Sequence, residues 1–179
     1  TSGSTGSAKF VRISYQNILS NAQSIINFLK INCEDVSITT LPMSYSFGLS
    51  IINTYVDMGA CLVLTNKSIV ERDFWNLISK HSVTSISGVP YTFQLLKQLG
   101  FLRKSYPSLR TITQAGGGLD LETKKAILEY SKKNMIKFFI MYGQTEATAR
   151  ISYVPPSRLS SKLLSVGKPI PGGRLEIDS

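Results

Sequence analysis

The 179 residues carry 20 lysines and arginines against 11 acids, a formal net charge of +9, and 42% of them are apolar. That is one domain's length with enough apolar content for a real core; no apolar run approaches the roughly 20 residues of a membrane-crossing helix, and no basic and apolar leader opens the chain, so a cytoplasmic protein is expected. The basic residues are scattered over "LRKS", "ETKK" and "SKKN" and form no stripe interleaved with aromatics, which argues against nucleic acid and for a solvated surface or anionic ligands such as nucleotide phosphates.

The opening "TSGSTGSAK" reads in two ways. Its glycines and hydroxyls have the composition of a flexible linker; equally, glycine-freed N–H groups, hydroxyls and the Lys9 ammonium can ring a polyphosphate. The Walker pattern fails, because Lys9 follows Ala8 and precedes Phe10, so a P-loop NTPase is disfavoured.

"SYQNILSNAQSIINFLKI" then spaces Ile18, Leu19, Ala22, Ile25, Ile26 and Leu29 along one helical face, with Ser14 as N-cap. Cys33 and Cys61 lack metal-ligand spacing and read as buried free thiols of a reducing compartment. "SITTLP" is a strand stopped by Pro42, and "CLVLT" a second strand, apolar on both faces like a buried parallel strand. "ERDFWNLISKH" is a helix, acidic at its start and basic at its end, with His81 a partly exposed residue in its last turn. His81 is the only histidine, which excludes multi-histidine metal sites.

"TSISGVP" is the next strand, "YTFQLLKQLG" a helix ending at Gly100, and "RTITQAG" a further strand. "DLETKKAILEYSKKN" is a helix with Asp120 as N-cap, lysines in its last turn and Asn134 as its stop. "IKFFIMYG" is the most hydrophobic strand, followed by "ISYVPP", a loop rich in Ser and Lys, and a terminal strand "RLEID". Strands and helices in alternation predict an α/β fold: a mainly parallel sheet flanked by helices on both faces.

Ligands of such sheets bind beyond the carboxyl ends of the strands, so the loops that follow strands directly carry the functional interest. "QAGGGLD" places Gly116, Gly117 and Gly118 at a strand end, where the lack of Cβ suits either a flat ligand or a tight strand-to-helix turn. "MYGQTEAT" places Tyr142 to stack on a base, Gly143 at a sharp exit, Thr145 as a hydroxyl and Glu146 as a carboxylate for a divalent cation, or else forms a capping turn with an exposed acid.

Taken in order, "TSGSTGSAK", the glycine triplet and "YGQTE" resemble the adenylate-forming (AMP-binding) enzymes, a superfamily that includes acyl-CoA synthetases. "LPMSYSFGL", "GVPYTFQLL" and "VGKPIPGGRLEI" resemble family segments as well, so the likeness runs through almost the whole chain. The resemblance implies that Thr1, Ser2, Gly3, Ser4, Thr5, Gly6 and Lys9 surround the ATP phosphates, and that Gly116, Gly117 and Gly118 flank adenine and the acyl pocket. Tyr142 packs on adenine, with Gly143 and Gln144 in the same nucleotide-contacting loop. Thr145 contacts phosphate, Glu146 holds Mg²⁺, and Lys9, Thr145 and Glu146 form the catalytic group. Tyr45 and Gly48, with Gly116 and Gly117, line the substrate pocket; Tyr45 either gates it or packs on the next helix. Two departures fall in the first loop: Ala8 stands where the family has Pro, and Phe10 where it has Gly.

The implied activity is ATP-dependent conversion of a carboxylic acid to acyl-AMP, then transfer to a thiol, CoA or a carrier-protein phosphopantetheine. The segment matching "SYSFGL" lacks the acid that amino-acid-activating members use for the substrate ammonium, which favours a fatty or aryl acid. In the family, the ribose-binding aspartate, the hinge and the small C-terminal domain with its catalytic lysine all lie downstream of Ser179. Residues 1–179 are therefore expected to be a single fragment of the large N-terminal domain, inactive alone and open to self-association over its cut surfaces. The alternative is a non-catalytic nucleotide-binding or scaffold module.

Overall fold

A computed structural model describes residues 10–177. The first helix, α1 (Tyr15–Leu29), starts at Ser14, whose Oγ accepts from the Asn17 N–H at 3.1 Å while the Asn17 side chain accepts from the Ser14 N–H. Then come β1 (Val36–Ile38), α2 (Ser46–Asp57), β2 (Cys61–Val63), α3 (Arg72–Lys80), β3 (Ser85–Gly88) and α4 (Pro90–Gln98). The chain continues through β4 (Thr111–Gln114), α5 (Leu121–Lys133), β5 (Lys137–Tyr142), β6 (Ser152–Val154), the single turn α6 (Pro156–Leu159) and β7 (Lys168–Pro169). Proline fits the first turn of α4, where no N–H is needed, and Asp120 caps α5 by accepting the Thr123 N–H at 2.8 Å.

Among the described residues seven strands form one sheet, in the order β2-β1-β3-β4-β5-β6-β7. The first five in sequence run parallel, while β6 pairs antiparallel with β5 and β7 antiparallel with β6. Alternation along β5 shows how the layers are built. Phe138 and Ile140 enter one core with Phe74, Ile78, Phe93 and Ile127 of α3, α4 and α5. Phe139 and Met141 enter the other, with Ile25 and Phe28 of α1 and Phe47, Ile51 and Tyr55 of α2. Helices thus cover both faces of a mainly parallel sheet, as the sequence pattern predicts. Each buried phenylalanine is worth about 3–5 kcal/mol against alanine.

Four local expectations are corrected. "CLVLT" does form a parallel strand, but β2 is the edge of the sheet, and Leu64 is 66% exposed. Cys33 and Cys61 are both exposed free thiols rather than buried ones, the first in a turn and the second on that edge. On α1, Leu19 faces solvent and Phe28 takes the buried place, because the helix meets the sheet along the stripe Ala22, Ile25, Phe28 and Leu29. "RLEID" adds no strand over its described residues; the sheet closes on the two residues of β7, and Ile177 is almost fully exposed. His81 is as expected, the exposed C-cap of α3.

Candidate active site

β3 and β4 end level, because Gln114 pairs with Gly88 on one side; on the other it pairs with Ile140, and β5 runs two residues further, to Tyr142. Their exits therefore open at one edge of the sheet, the location at which α/β sheets bind ligands.

Gly116 (φ 78°) and Gly117 (φ 147°) carry β4 into α5 through backbone angles that side chains disfavour. Space is short as well: a Cβ on Gly116 would lie 2.7 Å from the Tyr45 Oη and 3.0 Å from Val89 Cγ1. A Cβ on Gly117 would lie 3.2 Å from Pro90 Cγ, whereas one on Gly118 would meet nothing within 4 Å. The buried amide of Gln114 secures the turn from beneath, its Nε2 donating to the Gly117 carbonyl at 2.9 Å. The triplet is thus a strand-to-helix turn whose outer surface is exposed.

Gly143 is required more strictly. A Cβ there would lie 1.6 Å from the Ala149 carbonyl oxygen, because the loop folds back on its own start. The loop is closed by the Ala149 N–H donating to the Gln144 carbonyl at 3.1 Å and the Ile151 N–H to the Tyr142 carbonyl at 2.9 Å. Thr148 (φ 57°) and Ala149 (φ 90°) adopt left-handed angles to complete the reversal. Tyr142 stands 44% exposed at the tip of β5. A 3₁₀ turn over Thr145–Ala147 follows, and Thr145 Oγ1 donates to Ser46 Oγ at 3.0 Å, joining the loop to the first residue of α2. Glu146 is exposed and makes no ion pair among the described residues.

The structure therefore brings together Tyr45, Gly116, Gly117 and the loop containing Tyr142, Gly143, Gln144, Thr145 and Glu146. Gly48 has a different reason to be glycine: a Cβ would lie 2.2 Å from the Pro42 carbonyl oxygen, so it lets α2 seat against that segment. Thr1, Ser2, Gly3, Ser4, Thr5, Gly6 and Lys9 lie outside the described residues. No group of three metal-ligating side chains occurs among the described residues. One free carboxylate beside a hydroxyl suits a Mg²⁺ ion that also keeps waters and substrate phosphates.

Three residues at this edge escaped the sequence reading. Ser46 is one. Asn21 is another: its buried side chain donates to the Arg150 carbonyl at 2.9 Å and accepts from the Arg150 N–H at 3.3 Å, tying α1 to the far end of the β5 loop. The third is Arg150 itself, whose guanidinium lies 3.9 Å over the Phe47 ring. Burial pulls it down to about 9. The one available signal was a lone arginine just ahead of the strand in "TARISYV".

The sequence model of a known family, described as AMP-binding enzyme, matches residues 1–178. The chain belongs to the AMP-binding enzyme family. Among its relatives is the 2-succinylbenzoate–CoA ligase of Bacillus pumilus (strain SAFR-032), 33% identical over 99% of this chain and 35% of that protein. Another is the mitochondrial medium-chain acyl-CoA ligase of Mus musculus, 30% identical over 99% of this chain and 30% of that protein. A solved structure, O-succinylbenzoate coenzyme A synthetase from Bacillus subtilis in complex with ATP and magnesium ion, matches with a TM-score of 0.81. It is 31% identical over 95% of this chain and 34% of its own. The chain spans about a third of the length of the curated relatives it matches.

Proposed function

We propose that the protein to which these residues belong is an ATP-dependent acid–CoA ligase, and that this chain is one segment of its large nucleotide-binding domain. One observation carries the reading: Gly116 and Gly117, exposed Tyr142 and the Thr145–Glu146 turn meet at the carboxyl ends of β4 and β5 in an AMP-binding family chain. The family relatives named as CoA ligases support CoA as the acceptor, and the ATP and magnesium complex of the Bacillus subtilis enzyme supports ATP and Mg²⁺.

The chemistry asks for alignment and charge neutralisation. A carboxylate is a poor electrophile, since its charge repels nucleophiles and oxide is a poor leaving group. Attack of one carboxylate oxygen on the α-phosphorus forms the acyl–phosphate bond and expels pyrophosphate. A thiolate then attacks the acyl carbon and AMP departs with the bonding pair. Tyr142 offers its ring to the adenine face, and the glycine turn lets the nucleotide approach the backbone. When the two hydroxyls exchange roles and Ser46 donates to Thr145, the Thr145 proton is free to meet a phosphate oxygen, and Glu146 would hold Mg²⁺. The ion would draw charge from the phosphates as the leaving group forms. Lys9 and the hydroxyls of Thr1, Ser2, Ser4 and Thr5 complete the phosphate contacts in this reading.

Acid-dependent ATP–pyrophosphate exchange by the full-length enzyme is the test. Glu146→Gln is expected to reduce it by roughly a hundredfold or more while leaving the melting temperature near that of the wild type. No exchange by the wild type with any acid would favour a scaffold module instead, and exchange indifferent to Glu146→Gln would remove Glu146 from the reaction. The same assay on residues 1–179 alone is expected to give no exchange.

A further inference from the structure

Arg150 is 4% exposed, and its Nε has no hydrogen-bond partner among the described residues. The guanidinium bond found there is Nη1 to the carbonyl of its own neighbour, Ala149, at 3.3 Å. No carboxylate pairs with it among the described residues. A guanidinium has five donors and a permanent charge, and a buried one ordinarily keeps a counter-charge. The Phe47 face compensates it only in part.

The side chain borders a cavity of about 20 Å³ between α1, α2 and the sheet, lined also by Tyr55, Ser85, Ser87, Thr113 and Met141. That is room for about one water. The cavity lies beneath the strand ends, reaching from Thr113 and Met141, near the exits of β4 and β5, back to Ser85 at the start of β3. Its wall has a donor to offer. Ser87 Oγ accepts from Thr113 Oγ1 at 2.8 Å, which leaves its own proton for an acceptor in the cavity. Met141, long and unbranched, can move aside to enlarge the space.

We propose that Arg150 determines substrate specificity: it selects acids that carry a second carboxylate, which seats side-on against Nε and an Nη while the first carboxylate reacts at the strand ends. A carboxylate approaching the open edge of a guanidinium makes two parallel N–H···O bonds. The same burial that holds the guanidinium unpaired makes a plain alkyl tail a poor occupant, because the charge would lose its remaining water and gain nothing. This inference rests on the acid–CoA ligase reading, within which it names the acid.

The experiment is ATP–pyrophosphate exchange by the full-length enzyme with matched pairs, butanedioate against butanoate and hexanedioate against hexanoate. Wild type, Arg150→Met and Arg150→Lys are compared, with a melting curve for each. The wild type is expected to favour a diacid by about tenfold or more in kcat/KM, as a charge-assisted pair implies. Arg150→Met loses that preference, its diacid KM rising by about tenfold relative to its monoacid KM, and melts no lower than the wild type, because an unpaired buried charge is gone; Arg150→Lys falls between. A wild type without diacid preference overturns the inference, as does Arg150→Met reducing both acids equally. Unfolding of Arg150→Met that Arg150→Lys rescues would reveal a structural cation and also overturn it. Wild-type enzyme inactive toward every acid overturns the ligase reading itself, and this inference with it.

Discussion

Thr145 Oγ1 donates to Ser46 Oγ at 3.0 Å across 99 residues of sequence. That bond fixes the turn bearing Glu146 to the start of α2, the helix whose N-cap, Tyr45, closes over Gly116. Nucleotide-side and acyl-side residues therefore share one support. Ser46→Ala is expected to cost about 1 kcal/mol of stability, with a larger fractional effect on exchange. In a double-mutant cycle with Thr145→Ala, read by urea denaturation, the two changes are expected to couple by about 0.5–1.5 kcal/mol.

Gly143→Ala should be among the most damaging single-methyl changes in the chain. The added carbon would fall 1.6 Å from a backbone oxygen, which no rotamer can relieve. A loss of about 2–4 kcal/mol is expected in the denaturation midpoint. Gly118→Ala, at a position with open space, serves as the control and is expected to lie within about 0.5 kcal/mol of the wild type.

Asn21→Ala removes both bonds that hold the Arg150 peptide and leaves a buried N–H and carbonyl unpaired. About 1–3 kcal/mol is expected. The effect should also appear as faster amide exchange through residues 144–151, since α1 then no longer anchors that loop.

Burial pushes the Tyr55 phenol from 10.0 up to about 12. The folded chain keeps a proton that the unfolded chain releases, so this stabilisation is complete below pH 10 and is lost as pH rises from 10 to 12. The shift corresponds to about 2–3 kcal/mol. Tyr55→Phe should flatten that part of the alkaline decline in urea midpoint, leaving the part due to Tyr130, which burial also raises.

Much of the fold was legible because its signals are local. Ser14 and Asp120 announce their helices by side-chain chemistry, and the apolar runs of β3, β4 and β5 are short and sharply bounded. α2 was missed for the complementary reason. Its N-cap makes no side-chain bond, neither end carries a helpful charge, and Ile51, Ile52, Thr54, Tyr55 and Val56 favour strands; packing against α1 and the sheet makes it helical. The edge position of β2, and with it the exposure of Cys61, depends on strand order, which no local pattern encodes. At the site, "QAGGG" and "YGQTE" stood out because glycines at strand ends have few other uses. Ser46, Asn21 and Arg150 did not, since each acquires its role from a partner on another element.

The β5 loop is shaped before any ligand arrives. Gly143 nests against Ala149, two backbone bonds close the circuit, and Asn21 holds its far end. The ordering entropy of residues 142–151 is therefore incurred once, during folding, and is not charged again at each catalytic cycle. A nucleotide meeting this edge docks against a template, so its arrival there should register as a fast, nearly rigid encounter with little change in heat capacity.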